Sequence, residues 1–451
     1  MPPALPDRPP FSVRARVVSP LAGGGILDTG DGLVEVDASG GITFTGPWAE
    51  RPGGAPDPDG VIDLRPWVVM PGLVDLHAHL PQLPNAGVGF ALDLLTWLDR
   101  LTFPTERSWA DASVAESLAP VIIRAFAAAG TTTLLAYGVV YEAAMDVAFR
   151  AAEAHGIRAI LGKVMMDRVT YDPTIDPSMI LDRSLRESAS LIERWHGADG
   201  GRLGYAVTPR FAVSCTAELL RESAALAAST GAWWQTHLSE DRGEIAEVHR
   251  LFPEARDYLD VYEGAGGLGR RCVLAHAIHL SPREIARVVE TGSNVAHCPA
   301  SNLFIGAGVM PVGAYLEAGM SVGLGSDVSG GPDPSIFSVM RVGAYAQMAR
   351  RALVDGPARE EAVLRPIDWL RLGTLDGARA LGLDDRIGSL EAGKEADMIV
   401  VDPSLTAPVP GVDDPLALDE ADGLVSRLIF RSHPEMVRGA WVRGRMLEGP
   451  S

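Results

Sequence analysis

Cysteine is scarce. Cys215, Cys272 and Cys298 are the only three in 451 residues, far apart and without a Cys-x-x-Cys pair, so they read as reduced packing residues in a reducing compartment. Basic residues are in deficit too: 39 Lys and Arg stand against 58 Asp and Glu, for a net charge of −19. That balance excludes nucleic acid or an anionic membrane surface as the main partner. No uncharged stretch approaches the roughly 20 residues needed to cross a bilayer. The opening Met1-Pro2-Pro3-Ala4-Leu5-Pro6-Asp7 lacks a basic region followed by an apolar run, so no secretory signal is expected. Low-complexity tracts and short-period repeats are missing as well. A cytoplasmic protein is the expectation.

What is present is a change of rhythm along the chain. The N-terminal part, for example Ser12–Val18 and Leu33–Val36, alternates apolar and polar residues in short bursts with Gly, Pro and Asp between them. This is the pattern of small strands and tight turns. It returns in Ala396–Pro403 and Arg438–Val442. Between them, short apolar runs alternate with longer helical stretches, as in repeated strand–helix units. The eight runs are Val68–Leu76, Thr131–Tyr137, Ala159–Met166, Gly204–Val207, Ala232–Thr236, Cys272–Ala275, Ser293–Ala296 and Ser321–Gly325. One intervening helix carries its own punctuation. Ser281-Pro282-Arg283-Glu284 reads as a capping box, Ile285, Val288 and Val289 as the buried stripe, and Gly292 as the stop. Eight alternations predict an α/β fold, a (β/α)8 TIM barrel at 71–391, with a small β-sandwich built from the separated segments 1–70 and 392–451.

Chemistry gathers just past the ends of these runs. His77 and His79 are one residue apart on the first strand and therefore share a face. His237 follows the fifth run, His276 the sixth and His297 the seventh, while Gly325-Ser326 brings Asp327 in after the eighth. In a closed barrel the C-terminal strand ends meet at one mouth. His77, His79, His237 and Asp327 can then converge on one divalent ion and leave a position for water. A His3Asp set accepts zinc, iron or manganese. Glu240, three residues beyond His237, can sit near the ion without ligating it, take a proton from the water and pass it to a leaving amine. His297 reads as a supporting group. His155, His196, His249, His279 and His433 fall on helices or loops with no chemistry assigned, and Asp75 is expected to hold backbone groups.

The segments Pro71-Gly72-Leu73-Val74-Asp75-Leu76-His77-Ala78-His79 and Gly388-Ser389-Leu390-Glu391-Ala392-Gly393-Lys394-Glu395-Ala396-Asp397 resemble the amidohydrolase superfamily. Narrower segments are similar to the guanine deaminases. These are His79-Leu80-Pro81-Gln82, Thr102-Phe103-Pro104-Thr105-Glu106, Gly162-Lys163-Val164-Met165-Met166-Asp167, Val207-Thr208-Pro209-Arg210-Phe211, His237-Leu238-Ser239-Glu240, His297-Cys298-Pro299 with Ser301-Asn302-Leu303, and Gly325-Ser326-Asp327-Val328-Ser329-Gly330-Gly331. The resemblance implies a mononuclear site, usually zinc, at which hydroxide attacks C2 of guanine, ammonia leaves and xanthine forms. It places His77, His79, His237 and Asp327 as ligands, Glu240 as proton shuttle aided by Asp327, and His276 beside the hydroxide or substrate. Gln82 and Arg210 would hold the polar edge of the purine and Phe211 its flat face. An amide, a guanidinium and a ring suit a base that offers an O6 acceptor, ring nitrogens and a π surface. Relatives are commonly homodimers.

Two segments depart from the family pattern, Leu83-Pro84-Asn85 and Val169-Thr170-Tyr171, both expected in loops near the pocket. They bear on the main alternative, the same machinery turned to another amino-heterocycle such as a pterin, 8-oxoguanine or a triazine like ammeline. A non-catalytic barrel scaffold is the alternative of a different class. A nucleic-acid editing deaminase is excluded by the acidic balance and by the missing H-x-E with P-C-x-x-C signature. Lys163 lies in a segment matching mononuclear relatives, so no bridging lysine or second metal is expected.

Overall fold

The computed structural model describes residues 4–54, 60–172, 174–353, 360–409 and 420–449. Residues 1–3, 55–59, 410–419 and 450–451 of the two expected terminal segments lie outside them. The first strands are β1 (Phe11–Pro20), β2 (Ile26–Val36), β3 (Ile42–Pro47) and β4 (Ile62–Pro71). In β1, Val13, Ala15 and Val17 are buried while Arg14 and Arg16 reach outward to Asp31 and Asp28 of β2. Period-two alternation thus separates core from ion pairs on one strand. The C-terminal strands β14 (Met398–Val401), β15 (Val437–Val442) and β16 (Arg445–Met446) complete a seven-stranded mixed sheet in the order β16-β15-β14-β4-β1-β2-β3. Its core includes Val13, Val34, Val69, Val400 and Trp441.

The barrel strands follow β4: β5 (Leu73–His79), β6 (Thr131–Tyr137), β7 (Arg158–Gly162), a two-residue β8 (Val164–Met165), β9 (Leu203–Pro209), β10 (Trp233–Leu238), β11 (Cys272–His276), β12 (Asn294–His297) and β13 (Ser321–Leu324). Eight of these run parallel in the order β13-β12-β11-β10-β9-β7-β6-β5, and β8 pairs with β9. Strands β5, β6, β7, β9 and β10 are buried at every residue. Helices outside and side chains inside cover both faces, which is why the sequence shows continuous apolar runs here.

The first run is divided. Val68–Pro71 pairs with β14 of the terminal sheet, and the barrel strand begins only at Leu73. Between them Gly72 passes Thr132 so closely that a Cβ would lie 2.0 Å from its Oγ1. The seam between β5 and β13 is stitched just beyond β13, where Asp327 N donates to His77 O at 2.7 Å and His79 N to Val328 O at 2.9 Å. The barrel therefore closes through backbone bonds made by the candidate ligands themselves.

The helix Pro282–Thr291 has the expected capping box, and Gly292 ends it with φ 67°. Val288 is buried, with Ile285 and Val289 packed against the core beside it. All three cysteines are buried and unpaired. Among the described residues no helix is long and apolar enough to cross a membrane.

Candidate active site

Six side chains meet at the mouth. Nε2 of His77 lies 3.0 Å and Nε2 of His79 3.4 Å from Asp327 Oδ1, and the Nε2 atoms of His79 and His237 are 3.2 Å apart. His276 Nε2 is 3.8 Å from Asp327 Oδ2 and 3.5 Å from Glu240 Oε2. One ligand atom each from His77, His237, His276 and Asp327 fall within 4.8 Å of one another. That group takes in His276 beside three of the four expected ligands, and His79 joins it through its shorter contacts to His237 and Asp327.

Local backbone places these groups. Ser239 (φ 47°), His276 (φ 69°) and Asp327 (φ 48°) all occupy the left-handed region without being glycine. Each costs of order 1 kcal/mol or more. The chain turns sharply at the ends of β10 and β11 and beyond β13, so the side chains project into the mouth rather than along the strand. Gly325 permits the approach, because a Cβ there would lie 2.8 Å from His77 Cβ and 2.9 Å from Cys298 Sγ. Asp75 accepts from His77 N at 3.1 Å and Ser326 N at 3.0 Å, holding backbone on both sides of the seam as expected. Burial raises its pKa to about 6.

The imidazoles are oriented for a cation. His237 Nδ1 is 2.6 Å from Arg210 O, an acceptor only, so Nδ1 carries the proton and Nε2 presents a lone pair to the centre. His276 Nδ1 likewise donates to Asn302 Oδ1 at 2.9 Å. Burial holds the pKa of His79 down, that of His237 well down, and that of His276 at about 4, so these rings are neutral. Asp327 moves the other way. Burial alone would raise it, but the neighbouring imidazoles, His77 first, hold it well below the usual range. Glu240 is buried and raised well above the usual range, first by burial and then by the Asp327 charge. Two carboxylates in one pocket are thereby pushed in opposite directions, Asp327 toward its ionised form and Glu240 toward easier proton uptake.

A metal fits this donor set. Nε2 of His77 and of His276 are buried with no hydrogen-bond partner among the described residues. Ligands about 2.0–2.1 Å from a tetrahedral ion lie roughly 3.3 Å apart. The 3.0, 3.2 and 3.4 Å separations among His77, His79, His237 and Asp327 match such edges.

The cavity over this cluster is lined by His79, His237, His276, Asp327 and Glu240, by Arg210 and Phe211, and by Leu94, Trp97, Leu98, Ser301, Ile305 and Gly330. Arg210 sits on Phe103, 5.3 Å from the ring centre to its guanidinium carbon, and pairs through Nη1 with Glu106 Oε2 at 2.6 Å. Gln82 does not line the cavity. Fully buried beside it, Gln82 donates to Glu106 Oε1 at 2.6 Å and accepts from Ser329 N and Oγ at 3.4 Å. His297 is buried with its ring centre 6.2 Å from that of Trp369 and does not line the cavity, its pKa lowered to about 3 by burial. Of the departing segments, Asn85 bonds Thr105 Oγ1 and Leu101 O, while Val169 is exposed. Tyr171 is buried, takes a bond from Val140 N at 3.0 Å and faces Glu106.

Three supporting residues had no role in the sequence reading. Glu106 and Asn302 stood inside quoted segments without a function. Glu244 accepts from Glu240 N at 2.9 Å and from Tyr258 OH at 2.7 Å, fixing the backbone that carries the acid. The Asp241-x-x-Glu244 spacing, a capping box in the structure, was the signal that would have found it.

An eight-stranded parallel barrel with imidazoles and carboxylates gathered at the C-terminal strand ends defines a metal-dependent hydrolase. The chain belongs to the amidohydrolase family, which matches it over residues 68–447. It is 40% identical over 391 residues to a probable guanine deaminase of Deinococcus radiodurans, spanning 85% of this chain and 86% of that one. To the guanine deaminase of Escherichia coli it is 37% identical over 377 residues, 83% of this chain and 82% of the other. The crystal structure of guanine deaminase from C. acetobutylicum with guanine in its active site superposes with a TM-score of 0.86 at 26% identity, covering 97% and 99% of the two chains.

Proposed function

We propose that this protein hydrolyses guanine to xanthine and ammonia at a single metal centre. The carrying observation is one cavity that joins the His/Asp cluster and the buried Glu240 carboxyl to a buried guanidinium and a phenyl ring. His77, His79, His237 and Asp327 would hold the ion, with zinc the proposed occupant, and His276 stands beside the position of the attacking water. When bound, the ion supplies Lewis-acid chemistry that lowers the pKa of water from about 15.7 to about 7.

The remaining work falls to the chain. Glu240 accepts the proton released as the water oxygen bonds to C2, then returns it to the 2-amino nitrogen as the C2–N bond breaks. Asp327, kept ionised, helps draw that proton off. Arg210 donates to O6 of the purine and Phe211 covers its face. Gln82 is proposed to meet the same polar edge by turning toward the cavity it does not line, its Oε1 taking two long contacts from Ser329 among the described residues. Leu94, Trp97, Leu98 and Ile305 exclude bulk water.

The catalytic barrel is proposed to be 71–391, with 1–70 and 392–451 as the small β domain. The enzyme is proposed to act as a cytoplasmic homodimer in purine breakdown. A kcat/KM comparison of guanine with isoxanthopterin, ammeline, 8-oxoguanine and cytosine tests the substrate. Guanine should lead by a wide margin, and a larger value for any other ring would reassign the activity.

A further inference from the structure

Glu106 lies outside the cavity lining and is fully buried, yet both polar groups proposed to meet the purine end on it. Gln82 Nε2 reaches one carboxylate oxygen and Arg210 Nη1 the other, each at 2.6 Å. The Tyr171 hydroxyl faces the same carboxylate, and Phe103 underlies the guanidinium. A lone buried arginine would leave a net positive charge in a low-dielectric wall, and such a charge attracts anions strongly. Here the counter-charge is built in behind it.

We propose that Glu106 is a charge-balancing positioning residue, which makes the polar wall of the pocket an electrically neutral Arg–Glu pair and so selects uncharged carbonyl-bearing bases over anionic rings. The inference rests on the proposed guanine site and adds a selectivity to it. Two consequences follow from the geometry. Arg210 keeps its other N–H groups for a neutral carbonyl, because only Nη1 is given to Glu106. Xanthine, a stronger acid than guanine, gains no ionic grip on the site when it loses its proton, so product leaves without paying for a broken salt bridge. Glu106 touches no substrate; it acts through Arg210 and Gln82.

The test is competitive inhibition of the metal-replete enzyme at neutral pH by two purines of different charge, neutral hypoxanthine and the urate monoanion. Wild type, Glu106→Gln, Glu106→Asp and the double variant Glu106→Gln/Arg210→Gln are compared. Glu106→Gln should shift the inhibition-constant ratio toward urate by about tenfold or more. Glu106→Asp, which keeps the charge while altering reach, should retain the wild-type ratio. An unchanged ratio in Glu106→Gln, or the same shift in Glu106→Asp, would overturn the proposal. If Glu106→Gln does not fold, the double variant decides, because removing both partners of a buried pair leaves no stranded charge. A folded double variant without the shift toward urate supports charge balance, and one as unstable as Glu106→Gln overturns it. Turnover of guanine by wild type tests the functional reading separately. If guanine is not turned over, the same affinities are read by calorimetry on the metal-loaded protein.

Discussion

Glu240 is the residue on which turnover should depend most sharply. Its side chain is buried within 3.5 Å of His276 and is no part of the 3.0–3.4 Å ligand edges, so Glu240→Gln should keep the metal. Turnover should fall about 10²-fold or more, the usual worth of a positioned acid–base group. Metal content and ammonia release measured on the same preparation check this, and near-wild-type turnover would remove Glu240 from proton transfer. At this scale the sequence was legible where chemistry and chain proximity coincide. His77 and His79 share a face because one residue separates them on a strand, and Glu240 comes three residues after His237. It was silent where the fold brings distant residues together. Arg210 and Glu106 are 104 positions apart, and nothing local to either names the other. The left-handed backbones of Ser239, His276 and Asp327 were equally hidden, since none is the glycine that marks such a turn.

Elements were read well where burial is continuous and poorly where two sheets share one run. Parallel strands covered on both faces give apolar stretches that need no alternation to be seen. The same property hid the break at Gly72, because Val68–Pro71 is as buried in the terminal sheet as Leu73–Leu76 is in the barrel. Helix starts were legible through capping chemistry. In the helix Pro282–Thr291, Ser281 Oγ accepts from Glu284 N, and Glu284 returns a bond to Ser281 N at 2.7 Å. Ser281→Ala should therefore lower stability by about 1 kcal/mol. It should leave kcat/KM unchanged, since this cap lines no part of the cavity. Denaturant unfolding and steady-state assays on the variant check both halves, and a change in kcat/KM would tie this helix start to the mouth.

In the whole molecule, the terminal sheet is tied to the bottom of the barrel by one ionic cluster. Arg158, at the start of β7, bonds Asp397 at 2.9 Å and also Glu395, which receives Arg386 and Arg443 as well. Burial alone would raise the Glu395 pKa, but these arginines bring it from 4.5 down to about 2. A depressed carboxylate stabilises the fold above its unfolded value and loses that contribution as pH falls toward the folded one. Glu395→Gln should accordingly cost on the order of 2 kcal/mol at neutral pH. The difference from wild type should shrink between pH 4.5 and about 2, as thermal melts across that window would show. A gap that widened in acid would place the stabilisation elsewhere. The central claim, that His77, His79, His237 and Asp327 gather one ion to drive guanine hydrolysis, is tested most directly by titrating chelator-treated protein with zinc while following xanthine. Activity should be absent at the start and reach a plateau at one ion per chain. Xanthine formation without added metal, or a plateau only at two ions per chain, would contradict it.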